Sequence, residues 1–208
     1  VVLWLLIASF IIMIGTMALR EHDGLRTYND LGDLDQALWN TAQGRLFQMT
    51  NYEGISSRLS LHAELILVPL SLLYRVWSDA RALILFQSAL LALGAWPLYQ
   101  LAREALRRDW AALGIVLLYF LHPAVSGAAL MLVYPTAWGG VFLAFAFYFL
   151  RRPARLTSAA APRANSSSVA FWVCAVLALM CKEDMPLLVA MLGLYAALIM
   201  KRRRLGLA

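Results

Sequence analysis

The chain is short of charge. Asp, Glu, Lys and Arg make up 14% of its 208 residues, where soluble domains average about 25%. So little charge cannot clothe the surface of a soluble protein of this size, because 62% of the residues are hydrophobic. Cysteine is also scarce. Cys174 and Cys181 lie seven residues apart in one apolar run, roughly 10 Å apart along a helix axis. A disulfide needs α-carbons within about 7 Å, so both read as free thiols, and no zinc spacing exists. There is no Gly-rich phosphate loop and no Ser/His/Asp spacing of a hydrolase. There are no repeated halves of the kind many transporters show.

What is present is long apolar blocks, the mark of membrane helices. The expected fold class is all-α, a polytopic membrane protein with about six transmembrane helices and an external loop carrying amphipathic and interfacial or re-entrant helices. The spans are expected at 1–19, 82–102, 110–121, 135–150, 169–181 and 185–200, in one membrane domain covering 1–208. Residues 1–19 lack the basic start and small-residue cleavage site of a signal peptide, so they read as a span. The sequence opens at Val1 inside an apolar run, without Met, and ends after a basic cluster, so it reads as a fragment of a longer chain. Residues 63–77 are apolar but only fifteen long and contain Pro69. A span needs about twenty residues, so an interfacial or re-entrant helix is expected there.

The net charge of +6 has a topological reading. Segments 103–109, 151–168 and 201–208 hold eleven of the eighteen basic residues and two of the twelve acids. The positive-inside rule places them in the cytoplasm of a multi-pass plasma-membrane protein. The Pro/Ala/Ser-rich stretch 151–168 is then a cytoplasmic linker, and the loop 20–81 is external or periplasmic. A basic surface on a soluble fold, the usual sign of nucleic-acid binding, is not what this pattern describes. The bilayer itself is the expected partner, with no nucleic acid.

With that topology Asp30, Asp33, Asp35, His62, Glu64, His122, Tyr134, Lys182, Glu183 and Asp184 all lie on the outer side. Several of the apolar blocks are short, which recesses their polar ends, and recessed charge usually lines a protein cavity. Residues 29–43 read as a helix with Asp30, Asp33, Gln36 and Asn40 on one face and Leu31, Leu34, Leu38 and Ala42 on the other. Asp30 and Asp33 also suit the first turn of a helix simply through its dipole. Asp35 falls at the edge of the leucine face, where a carboxylate needs a partner, a metal or a catalytic role. Asp35 is therefore the first catalytic candidate, with Asp30 beside it. Lys182, Glu183, Asp184, His62, Glu64 and Tyr134 are candidates for substrate binding. A divalent metal, if one binds, would draw on Asp33, Asp35 and His62. The plainer readings are a solvated turn at 182–184, interfacial polar residues at 62–64, His122 and Tyr134, and membrane anchors for Trp39, Trp77 and Trp138.

The stretches YNDLGDLDQALWNTAQGRLF, LHAELILVPLSLLYRVW, QSALLALGAWPLYQLAREAL and CKEDMPLLVAMLGLYAAL resemble the bacterial membrane proteins grouped as domain of unknown function 2079. That family in turn resembles the GT-C class of membrane glycosyltransferases. The resemblance implies that a carboxylate of the first external loop acts on a polyprenyl-phosphate-linked sugar. It aligns Asp30 and Asp35 with the family's acidic positions and residues 182–184 with its later charged motif. Where many relatives carry a His-Pro-Glu-like triplet, this chain has Tyr134-Pro135-Thr136. The function expected is sugar transfer to an acceptor at the external face. The alternatives are a transporter or flippase for a lipid-linked or anionic solute, and a non-catalytic scaffold.

Overall fold

A computed structural model describes residues 1–27, 29–131, 133–152 and 166–201. The chain opens with α1 (Val2–Asp23), then α2 (Asn29–Ala42), a hairpin of β1 (Gln48–Tyr52) and β2 (Ile55–Ser57), and the short α3 (Leu67–Tyr74). α4 (Ala80–Leu93) and α5 (Ala95–Leu106) follow end to end, then α6 (Asp109–Leu121) and α7 (Pro123–Met131). α8 (Pro135–Arg151), α9 (Ser166–Leu179) and α10 (Met185–Leu194) complete the helices, with a π turn at Tyr195–Ile199.

The all-α expectation holds apart from the hairpin. Among the described residues, six spans are more than helix length supports. Val2–Asp23 and Ala80–Leu106 are long and apolar enough to cross a membrane, and Asp109–Leu121 with Pro123–Leu130 makes a third if that pair, bent by 50°, is one span. The bend falls at His122-Pro123, where proline removes a helical donor and forces the preceding residue out of helix. His122 then caps α7, its Nδ1 accepting from the Ala124 amide at 3.2 Å. Exposed large apolar side chains such as Leu5, Ile12, Leu118, Leu121, Leu187 and Leu198 line the outside of the bundle. In water they would be costly; against lipid they are at home.

Helix ends are tied by charge at both ends of the bundle. Arg81, at the start of α4, donates to Asp23 at the end of α1 (2.8 Å), so these helices run antiparallel. At the other end Arg103 of α5 meets Asp109 of α6 at 2.7 Å, across a tight turn with Arg107 in the left-handed region. Close packing uses small residues, as in membrane bundles. A Cβ on Gly139 of α8 would come within 2.6 Å of Met185 Sδ on α10. Gly139→Leu is expected to force these helices apart and lower the thermal unfolding midpoint by several degrees, as overpacking of about 1–3 kcal/mol requires. A thermal melt in detergent checks it.

α3 is eight residues long, about 12 Å, so residues 63–77 form no span. Of the expected cytoplasmic linker only Arg151, Arg152 and residues 166–168 fall among the described residues, and of the final basic cluster only Lys201.

Candidate functional site

α2 places the first set of side chains. Leu31, Leu34, Ala37, Leu38 and Ala42 are buried, packed with Leu67, Leu70 and Tyr74 of α3 and with Leu83 and Ile84 of α4. This is the apolar face that the helical period predicts. The polar face is covered as well. The β1–β2 hairpin lies over it, turning at Glu53-Gly54, where Gly54 has φ +74. Gln36 donates to Thr50 Oγ1 (2.8 Å) and accepts from the Thr50 amide (3.0 Å), and Asn40 donates to the Gln48 carbonyl (2.9 Å).

Asp33 is consequently almost fully enclosed. Its carboxylate accepts from the Asn51 side-chain amide and from the Tyr52 hydroxyl (3.0 Å), and Arg58 Nη1 lies 3.7 Å away. The bond to Asp33 pushes the Tyr52 phenol above its ordinary value. Arg58 is 2% exposed and Glu64 1%. They form a two-pronged pair, Nε to Oε2 at 2.7 Å and Nη2 to Oε1 at 3.2 Å. Burial works against the Arg58 charge, but Glu64 and Asp33 outweigh it, so its pKa is raised and the guanidinium stays charged. Arginine suits this place because its planar fork matches a carboxylate.

One helical turn before Asp33, Asp30 accepts a hydrogen bond from the Tyr134 hydroxyl. That bond, above all other influences, pushes the Tyr134 phenol up to about 12. Tyr134 is itself held from below by Gln87, buried in α4. Gln87 Oε1 accepts from the Tyr134 amide (3.1 Å) and from Trp138 Nε1 (2.9 Å), while its Nε2 donates to the Ala128 carbonyl (2.7 Å). Gln87→Leu would leave these groups without that partner, at about 1–3 kcal/mol for a buried polar group. The expected result is a lower melting midpoint together with a weakened Asp30–Tyr134 contact, read from the Tyr134 titration.

A second polar junction lies at the turn between α9 and α10. Glu183 accepts from the Ala63 amide (3.0 Å) and pairs with His62 Nδ1 (2.9 Å). The Ile66 amide donates to the Met180 carbonyl (2.7 Å). Backbone amide donation, first from Glu183 itself, then the His62 bond, hold the Glu183 carboxyl down at about 2. Because its folded pKa lies below the ordinary 4.5, the contribution of this clasp is full above 4.5 and is lost as pH falls towards 2. Both side chains are partly exposed, so the effect is screened and local. Hydrogen exchange of residues 58–66 is expected to quicken over that window in wild type and to be already fast in Glu183→Ala.

Asp35 does not join these groups. Two residues beyond Asp33, it points some 200° away around the helix. The partner that an inward carboxylate needs is the Tyr74 hydroxyl of α3, at 2.5 Å. Burial raises the Asp35 pKa against the lowering effect of that bond, and burial and Asp35 together raise Tyr74 far above its ordinary value. Asp33, Asp35 and His62 do not come together as a ligand set either. Asp33 is taken by Asn51, Tyr52 and Arg58, and His62 by Glu183. Among the described residues no three His, Cys, Asp or Glu side chains converge on one point. Asp184 starts α10 without a side-chain cap, and Lys182 is half-buried beside it. Trp138 is fully buried rather than an interfacial anchor, whereas Trp39 and Trp77 are exposed. Arg58, Gln87, Asn51 and Tyr52 were not singled out by the sequence. A lone arginine within a polar loop and a lone glutamine within an apolar span were the available signals.

The apolar outside, the spanning helices and the polar cluster at one end define a helical integral membrane protein with a recessed polar site. The chain belongs to the family described as predicted membrane protein (DUF2079), whose model matches residues 21–208. No curated protein and no solved structure matches it.

Proposed function

We propose that this protein is a GT-C-like glycosyltransferase, moving a sugar from a polyprenyl-phosphate-linked donor to an acceptor hydroxyl at the external face of the plasma membrane. The observation that carries the reading is the pair Asp30 and Asp33. They stand on one face of a helix at the mouth of the bundle, braced by Tyr134 and by the buried Arg58–Glu64 pair. In this reading α8, α9 and α10 complete six crossings, with the Arg103–Asp109 end in the cytoplasm and the carboxylates outside.

Asp30 is the general base. Its carboxylate accepts from the Tyr134 phenol and is half-buried, so an acceptor hydroxyl can reach it. The acceptor oxygen bonds to the anomeric carbon and its proton passes to Asp30. The bond from that carbon to the phosphate oxygen breaks, and polyprenyl phosphate leaves with the electron pair. Lys182, on the α9–α10 turn, supplies a cation for the phosphate. The hydrocarbon has a place too. An apolar groove of about 400 Å³ runs along Ala137, Gly140, Val141 and Ala144 of α8 towards Leu91 and Tyr119, starting one turn below Tyr134.

Two results test the reading. Protein in lipid nanodiscs is expected to release polyprenyl phosphate from a radiolabelled polyprenyl-phosphate hexose only when an acceptor is present. Asp35→Asn is expected to keep wild-type activity and a melting midpoint within about 1 kcal/mol equivalent, since an amide oxygen still accepts from Tyr74. Movement of the intact lipid-linked sugar across the bilayer without transfer would make it a flippase.

A further inference from the structure

Between the end of α1, the first turns of α2 and the hairpin lies a cleft of about 470 Å³, lined by His22, Thr27, Gly32, Asp33, Asn51 and Tyr52 among others. We infer that this cleft binds a neutral carbohydrate, and that the carbohydrate is the acceptor; the second half of the inference rests on the transferase reading above.

Four features point to that ligand class. The volume accommodates one or two sugar rings. The lining mixes hydroxyl, amide and imidazole groups with the exposed ring of Tyr52, the combination that hydrogen-bonds sugar hydroxyls and packs against their apolar faces. Among the described residues no Lys or Arg lines it, and the nearby Arg58 is engaged by Glu64 and Asp33, so these residues offer an anion no free Lys or Arg. His22 Nδ1 is buried with no hydrogen-bond partner among the described residues. An imidazole on the cleft wall whose hydrogen bonding the fold leaves unfinished favours a polar ligand over an apolar one.

Gly32 adds an independent observation. Glycine disfavours helix, yet Gly32 sits within α2, and among the described residues a Cβ built there meets nothing within 4 Å. Packing does not require it. What its missing side chain does is leave the cleft wall open. Asp33 ties the cleft to the reacting groups: it lines the cleft and lies one helical turn from Asp30, about 6 Å between β-carbons. A sugar held here presents a hydroxyl towards Asp30.

Full-chain protein in nanodiscs would be titrated with methyl glycosides of glucose, galactose and mannose by saturation-transfer NMR, and separately with inorganic phosphate by phosphorus-31 line broadening. Saturable binding of at least one methyl glycoside, and none of phosphate, is expected. Gly32→Leu should abolish it while leaving the melting midpoint unchanged or higher, and Tyr52→Ala should weaken it about tenfold. Phosphate binding in place of sugar, no glycoside binding, or wild-type binding by Gly32→Leu would overturn the inference. Glycoside binding without transfer would support the cleft and overturn the transferase reading. Transfer whose acceptor KM is unmoved in Gly32→Leu and Tyr52→Ala would overturn the cleft alone.

Discussion

Asp30→Asn is expected to lower kcat for sugar transfer by about 10²- to 10⁴-fold, the usual contribution of a positioned general base. The amide still accepts the Tyr134 hydroxyl through its oxygen, so the fold and the Tyr134 position should persist, and KM for the acceptor should change little. That split identifies a group acting in the transition state rather than one that only shapes the site. Steady-state kinetics beside a thermal melt check it. Tyr134→Phe provides the comparison. It removes the phenol that Asp30 accepts from, which leaves the carboxylate in place but less ordered. Its effect should fall well short of Asp30→Asn. Equal activity of Asp30→Asn and wild type would sink the assignment of the base.

Arg58→Met is expected to be the most destabilising single change in the segment between α1 and α4. Glu64 and Asp33 are both enclosed, and the guanidinium neutralises them. Removing one partner of a buried ion pair costs about 3–5 kcal/mol, because a charge is left without compensation. Adding Glu64→Gln to Arg58→Met should recover part of the loss, since the amide carries no charge. Arg58→Lys should recover less than the wild-type fork gives, because an ammonium cannot match both carboxylate oxygens at once. Thermal melts, with hydrogen exchange of residues 48–66 as a local readout, distinguish these outcomes.

The outcomes for Asp30 and Asp35 show how far helical phase carries an argument. Counting at 100° per residue separated Asp30 and Asp33 from Asp35 and placed the leucines on the buried face. Period alone could not say what covers each face. The polar face met a hairpin whose strands show no clean alternation, in Gln48–Tyr52 and Ile55–Ser57, so a two-residue period never announced it. The inward carboxylate met a phenol 39 residues away.

Composition and hydrophobic block length determined the class. An apolar chain with so little charge has only lipid to face, and its buried backbone is then satisfied within helices. They also placed α1 and the α4–α5 span, and they marked residues 63–77 as too short to cross, because length and proline content are local properties. Family membership was equally legible in the four quoted stretches. The tertiary structure decided which polar groups meet. Asp30 with Tyr134, Asp33 with Arg58 and Tyr52, and Glu183 with His62 and Ala63 are contacts across 19 to 121 residues of chain. Such pairs depend on how helices pack, and helix packing is set by side-chain shape at the crossings. The close approach at Gly139 and the Gln87 bridge from α4 to α7 and α8 are the local reasons why Tyr134 ends over Asp30 and not elsewhere.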